Sequence, residues 1–84
     1  MKKRVTSALL RNIVGQNVRV YRAAKGVSQE ALAERCGIKR SYIGAIERAE
    51  VDIRLTTLSK LAVGLGVEVY RLLMDAEKQL QANS

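Results

Sequence analysis

The sequence predicts an all-α fold of five short helices. It contains no proline, few runs of β-branched residues and five segments whose apolar residues recur at helical spacing. Gly26, Gly37 and Gly66 follow the first, second and fourth segments, as expected where helices end. A chain of 84 residues suits one compact domain, assigned here to residues 1–84 with a core over about 8–74.

The first predicted helix runs from about Ala8 to Lys25, because apolar residues fall on one of its faces at Leu10, Val14, Val18 and Tyr21. The second covers about Gln29–Cys36, with Ser28 as its N-cap and without the Glu that would complete a capping box. Cys36 near its end is expected to pack in the core, with a redox switch as the alternative.

The stretch from Ser28 to Arg48 spaces four residues as two closely crossing helices require. Counted from Gln29, they occupy the fifth, ninth, fifteenth and eighteenth positions and are Ala33, Gly37, Ile43 and Ile46. A small residue permits close approach, a glycine permits the turn, and the isoleucines lie on the buried side of a third helix, about Arg40 to Arg48. This pattern is typical of a DNA-binding helix-turn-helix, and it leaves four residues on the solvent face: Arg40, Ser41, Gly44 and Ala45.

With the preceding R-x-x-x-G-x-S-Q element at Arg22 to Gln29, the region from about Val14 to Leu73 resembles the Cro and phage-repressor (XRE-type) helix-turn-helix family. The resemblance implies a compact five-helix, lambda-repressor-like DNA-binding domain. Within the family, the segment RSYIGAIER and the single-domain architecture resemble the controller proteins of restriction-modification systems. Phage repressors, plasmid regulators and antitoxins share the same core.

A recognition helix in the major groove presents its first turns to base edges, so Arg40, Ser41, Gly44 and Ala45 are the candidate base contacts. The Arg40 guanidinium can donate two parallel hydrogen bonds to guanine O6 and N7. Gly44 and Ala45 would allow close approach, with Ala45 near a thymine methyl group.

Phosphate contacts are predicted for Gln29, Lys39, Tyr42 and Arg48. Gln29 opens the second helix, where free N–H groups and the helix dipole favour an anion, and the resemblance implies the same role. Tyr42 could equally pack against the first helix, and Arg48 could instead balance the acidic residues that follow it.

The resemblance also implies a partly buried ion pair between Arg22 and Glu47, which would join the first and third helices. The chain departs from the family pattern at Lys39, where a capping Ser, Thr or Asp is common, and at Ala49, where Gly commonly ends the helix. A left-handed Ala49 would cost about 1 kcal/mol.

The charge distribution favours a polyanionic partner. The net charge is +7, and residues 1–49 hold eleven Lys and Arg against three Glu, while residues 50–84 hold four against five acids. The half with the helix-turn-helix is therefore the positive one, as double-stranded DNA would require. A membrane-surface helix or a single-strand stacking platform would need exposed aromatics, and the chain has only three Tyr and no Trp or Phe.

Composition argues against catalysis. No histidine and one cysteine exclude an intrachain disulfide, a Cys/His zinc site and a Ser-His-Asp or Cys-His arrangement. We therefore expect no enzyme activity, metal, cofactor or small-molecule ligand. No signal peptide or membrane span is evident, which predicts a cytoplasmic protein without a membrane partner.

A fourth helix is predicted to close the core, with an apolar stripe at Leu55, Leu58, Leu61, Ala62 and Leu65. A last helix, from about Glu68 toward Gln81, carries a short a/d seam. Leu72 can dock on the domain, which would leave a homodimer interface on five residues: Val69, Leu73, Met74, Ala76 and Leu80. Docking of the last helix alone is the alternative.

The sequence thus predicts a sequence-specific transcriptional regulator that binds a two-fold-related operator as a homodimer. One alternative is a protein-interaction module, such as an antitoxin whose last helix binds a partner protein. Another is a basic protein that binds nucleic acid non-specifically or binds RNA.

Overall fold

A computed structural model describes residues 5–75 of the chain. Within that range the chain forms five helices and no strand, which confirms the all-α prediction. The helices are α1 (Ser7–Lys25), α2 (Gln29–Cys36), α3 (Arg40–Glu47), α4 (Leu55–Leu65) and α5 (Val69–Leu73). None of these helices is both long and apolar enough to cross a lipid bilayer.

The core lies between α1 and the other helices. Helix α1 packs on α3, α4 and α5, and α2 packs on α3 and α4. Seven core side chains are fully shielded from solvent: Val18, Leu32, Ile43, Ile46, Leu61, Leu65 and Leu72. Cys36 is also buried in this core, and burial raises the pKa of its thiol, so the structure favours packing over the redox alternative.

Four helix ends share one turn geometry. The residues after α1, α2 and α4 are the predicted glycines, with φ of 65°, 69° and 68°. The fourth is Ala49, whose φ of 60° confirms the left-handed conformation considered above. The Ala49 N–H donates to Ile46 O and the Glu50 N–H to Ala45 O, both at 3.0 Å, so α3 ends in the hydrogen-bond pattern that normally uses glycine.

The start of α2 is capped as predicted, since Ser28 Oγ accepts from the Ala31 N–H at 3.0 Å. Helix α3 begins without such a cap, because Lys39 makes no side-chain hydrogen bond at its N-terminus. The orientation of α3 is instead fixed by its packing. A Cβ at Gly15 of α1 would lie 2.5 Å from the Ile46 carbonyl oxygen, so the glycine allows the two helices to meet.

The prediction of a continuous last helix toward Gln81 is wrong, because α5 ends at Leu73 and Met74 is extended, with φ −81° and ψ 137°. The cause is the buried Asn17 of α1, whose Nδ2 donates to the backbone oxygens of Arg71, Leu72 and Met74 at 3.2, 2.9 and 2.7 Å. A side chain from another helix thus donates to the backbone oxygens at the end of α5, which a further helical turn would use for its own amides. Residues 76–81 lie outside the described residues.

The assignment of Leu55 to the core is also wrong, since this residue is 82% exposed. It shares a helical face with Ala62, but it is the first residue of α4. Side chains of a helix lean toward its N-terminus, so the Leu55 side chain extends past the end of the packed core.

Candidate DNA-binding surface

The first turn of α3 presents two of the four predicted base-contacting residues to solvent. Arg40 and Ser41 are exposed, and Ala45 one turn later is half-buried. Gly44 is buried, so its prediction as a solvent-facing residue is wrong. The Arg48 side chain covers it: a Cβ at position 44 would lie 3.0 Å from Arg48 Nη1.

The exposed guanidinium of Arg40 is held by a carboxylate from the preceding helix. Arg40 Nε donates to Glu30 Oε1 at 2.7 Å. The Glu30 carboxylate also accepts from its own backbone amide, and these two hydrogen bonds, the backbone one first, lower the pKa of Glu30. The pair links the N-terminal turns of α2 and α3, the two helices of the motif.

Arg48, the residue after α3, is held in a similar way at the other end of that helix. Its Nε donates to Glu50 Oε2 at 3.0 Å, and this contact raises the pKa of Arg48 and lowers that of Glu50. Arg48 thus pairs with an acidic neighbour, which is the alternative role predicted for this residue. Its terminal nitrogens lie over Gly44.

A third arginine, Arg22, donates hydrogen bonds through all three of its guanidinium nitrogens. Arg22 Nε and Nη2 donate to the two carboxylate oxygens of Glu47 at 2.7 and 3.1 Å, and Nη1 donates to Val27 O at 3.1 Å. Glu47 is 6% exposed, and the bidentate contact raises the pKa of Arg22. The pair joins α1 to α3, as the resemblance implied.

Gln29 joins the same network, since its Nε2 donates to Glu47 Oε1 at 3.0 Å. The amide of Gln29 carries a second N–H, so this contact leaves one donor at the N-terminus of α2 for another acceptor. Glu47 therefore fixes both Arg22, from α1, and Gln29, from the start of α2.

The remaining predicted phosphate contacts differ in exposure. Lys39 is exposed just before α3, whereas Tyr42 is half-buried and packs against the core. Of the two roles left open for Tyr42, this position favours packing.

Of the predicted dimer residues that the structure describes, Leu73 lines an apolar groove. Val69 and Leu73 are 38% and 41% exposed, Met74 is half-buried, and Ala76 and Leu80 lie outside the described residues. Leu73 lines the groove, whose volume is about 400 Å³ and whose apolar lining comes from α1, α4, α5 and the loop before α4. That lining consists of Leu10, Val14, Ile53, Leu55, Leu58 and Leu73.

Sequence reasoning missed Glu30, Asn17 and the groove position of Leu55. Asn17 had a detectable signal, because it interrupts the apolar stripe of α1 between Val14 and Val18. Glu30 and Arg40 are ten positions apart on different helices, so their contact depends on the crossing of α2 and α3, which spacing alone does not give.

The fold and the α2–α3 geometry define a helix-turn-helix DNA-binding protein. The family model described as helix-turn-helix (HTH_3) matches residues 18–72, so the chain belongs to this family. Its relatives are named as transcriptional regulators and restriction-modification controllers, and the chain is a DNA-binding regulator.

Three comparisons place the chain within the family. It is 45% identical over 64 residues to the control protein C.SmaI of Serratia marcescens, with 76% of each chain covered. The crystal structure of the hypothetical transcription factor NHTF from Neisseria matches with a TM-score of 0.84 at 36% identity, over 98% of this chain and 95% of that one. The restriction-modification controller C.AhdI from Aeromonas hydrophila matches with a TM-score of 0.72 at 42% identity, over 74% and 94%.

Proposed function

We propose that two copies of the chain bind a two-fold-related operator, with the first turns of each α3 in the major groove, and regulate transcription from it. The observation that carries the proposal is the exposed and only partly bonded guanidinium of Arg40. It is exposed on the first turn of α3, and among residues 5–75 only its Nε has a protein partner. Its two terminal nitrogens are therefore available to donate to guanine O6 and N7.

The contacts to DNA then divide into two groups. Arg40 and Ser41 contact base edges, with Ala45 one turn further into the groove. Gln29, through its second amide N–H, and Lys39 and Arg48, through their positive charge, contact phosphates and position the helix. This division leaves Tyr42 to hold α3 against the core.

The proposed dimer forms through the apolar groove and the residues around it. Leu55, 82% exposed, and Leu73, 41% exposed, line an apolar depression of about 400 Å³, and a contiguous exposed apolar surface is typical of an interaction site. A second copy would cover Leu55, Val69 and Leu73 and bury their apolar surface. The groove therefore extends the predicted interface from α5 to the start of α4.

The DNA proposal is tested by selecting binding sites from random duplexes with the wild type and Arg40→Ala. We expect an inverted repeat whose half-sites lose their guanine preference in the variant. Arg35→Ala is the matched control, because it removes the same charge from the side of α2 that faces Gly64 of α4. If the sites that Arg40→Ala selects keep the guanine preference of those that Arg35→Ala selects, Arg40 is rejected as a base-contacting residue.

The dimer is tested by sedimentation velocity of Leu55→Glu. Because Leu55 is exposed, the substitution leaves the core intact, and we expect it to convert the dimer to a monomer. Val63→Glu is the control, since Val63 is 77% exposed on the same helix but does not line the groove.

The exposed groove also favours a second candidate function, a protein-interaction module such as an antitoxin. A wild type that sediments as a monomer and enriches no DNA site would support this candidate against the operator-binding dimer.

A further inference from the structure

We propose that Glu30 is a positioning residue for guanine recognition: its carboxylate holds the Nε edge of the Arg40 guanidinium and directs the two terminal nitrogens toward the base. The inference rests on the proposed function, in which Arg40 contacts a guanine. It assigns to α2 a part in sequence specificity that is separate from phosphate binding.

Three described ion pairs involve α3 and its flanking residues. They differ in which nitrogens of the arginine remain available to bind a ligand. Arg22 donates through Nε and both terminal nitrogens, so each of its nitrogens already has a protein partner, and its side chain is only 22% exposed. Arg40 donates only through Nε, to Glu30, and its opposite edge is without a protein partner within residues 5–75. A guanidinium held in this way keeps the pair of parallel N–H groups that guanine O6 and N7 accept.

The exposure of the Glu30–Arg40 pair argues against a mainly structural role. Its side chains are 66% and 60% exposed, and exposed ion pairs contribute little to folding. We expect the pair to restrict the conformation of the Arg40 side chain. A free arginine side chain samples many rotamers, and fixing one end of the guanidinium reduces the ordering that DNA binding requires.

The start of α2 places the Glu30 carboxylate beside Arg40. It lies in the first turn of α2, and its carboxylate accepts from its own backbone amide as well as from Arg40. The helix dipole also favours a negative charge in the first turn of a helix, so the position of Glu30 supports an ionised carboxylate beside Arg40.

The test compares two duplexes that carry the selected site, one with the guanine that Arg40 contacts and one with 7-deazaguanine, which lacks the N7 acceptor. Dissociation constants are measured by fluorescence anisotropy for the wild type, Glu30→Ala, Glu30→Gln and Glu50→Ala. The readout is the ratio of the two constants for each protein. Loss of a negative charge changes affinity for both duplexes, and this ratio cancels that effect.

We expect the wild type to prefer guanine by about tenfold or more, and Glu30→Ala to lose most of this preference while its melting temperature falls only slightly. Glu30→Gln should keep an intermediate ratio, because its amide oxygen still accepts from Arg40 Nε. Glu50→Ala, which breaks the exposed pair with Arg48 at the far end of α3, should keep the wild-type ratio.

An unchanged ratio in Glu30→Ala, with tighter binding to both duplexes, would overturn the inference and reduce Glu30 to a charge that repels DNA. A wild type without any preference between the two duplexes would instead overturn the guanine contact of Arg40. The failure of the inference and the failure of the proposed function are thereby distinguished.

Discussion

The side-chain amide of Asn17 donates to the backbone oxygen of Leu72 at 2.9 Å, and both residues are buried. The contact joins residues 55 positions apart in sequence and fixes the end of α5 against the middle of α1. A buried polar side chain in the apolar stripe of α1 thus holds the C-terminal end of the fifth helix.

Asn17→Ala is expected to lower the free energy of unfolding by about 1–3 kcal/mol, because it removes the donor that binds the backbone oxygens at the end of α5, including the buried oxygen of Leu72. Asn17→Asp should cost more, since a carboxylate would face the same oxygens. Urea denaturation measures both. Asn12→Ala is the control, because Asn12 is exposed and its side chain donates to Ala8 O on the same helix. A loss as large in that variant would refute the role given to Asn17.

Glu47→Gln is expected to lower the free energy of unfolding by about 2–3 kcal/mol, somewhat less than for a fully buried ion pair, because the Arg22 side chain is 22% exposed. The substitution removes the negative charge of the carboxylate that accepts hydrogen bonds from Arg22 and Gln29. Thermal melting measures the effect, and Glu50→Gln, which alters an exposed pair, should melt close to the wild type. An unchanged melting temperature for Glu47→Gln would contradict the buried-pair interpretation.

Ala49→Gly is expected to stabilise the chain. A left-handed alanine costs about 1–2 kcal/mol, and glycine avoids this cost. Glycine also adds freedom to the unfolded chain, which offsets about 0.4–1 kcal/mol, so the free energy of unfolding should rise by about 0.5–1 kcal/mol. Ala24→Gly is the matched control: it makes the same change at an exposed position within α1 and should destabilise. Chemical denaturation of the two variants should give shifts of opposite sign, and shifts of the same sign would show that Ala49 is unstrained.

The ionised carboxylate of Glu30 should persist to lower pH than that of an ordinary glutamate. Folding lowers the pKa of Glu30, so its contribution to stability is present above the unfolded-state pKa of about 4.3 and is lost as the pH falls through the lower folded-state value. An NMR titration of the carboxyl carbon should show this midpoint. In Arg40→Ala the midpoint should rise but stay below the ordinary value, because the backbone amide, the larger cause, remains. A wild-type midpoint at the ordinary value would argue against a fixed carboxylate.

The elements that the sequence predicted well are those determined by neighbouring residues. The ends of α1, α2 and α4 follow from Gly26, Gly37 and Gly66, and the start of α2 follows from Ser28. These signals act within one helical turn, so their effect is visible in a linear chain.

The elements that the sequence missed depend on contacts between distant helices. The end of α5 depends on Asn17, and the burial of Gly44 depends on which way Arg48 turns after α3. The candidate base contacts were located on α3, but Glu30 was not connected to Arg40, because that contact requires the crossing geometry of two helices.

Gly15 and Asn17 lie two positions apart on α1, where Gly15 meets α3 and Asn17 meets α5. One rigid helix thus sets the separation between the base-contacting turn and the apolar face. In the proposed dimer, the distance between the two copies of α3 would have little freedom to adjust. An operator with a single base pair inserted between its half-sites displaces one half-site by about 3.4 Å and turns it by about 35°, so the DNA itself would have to twist to restore the match.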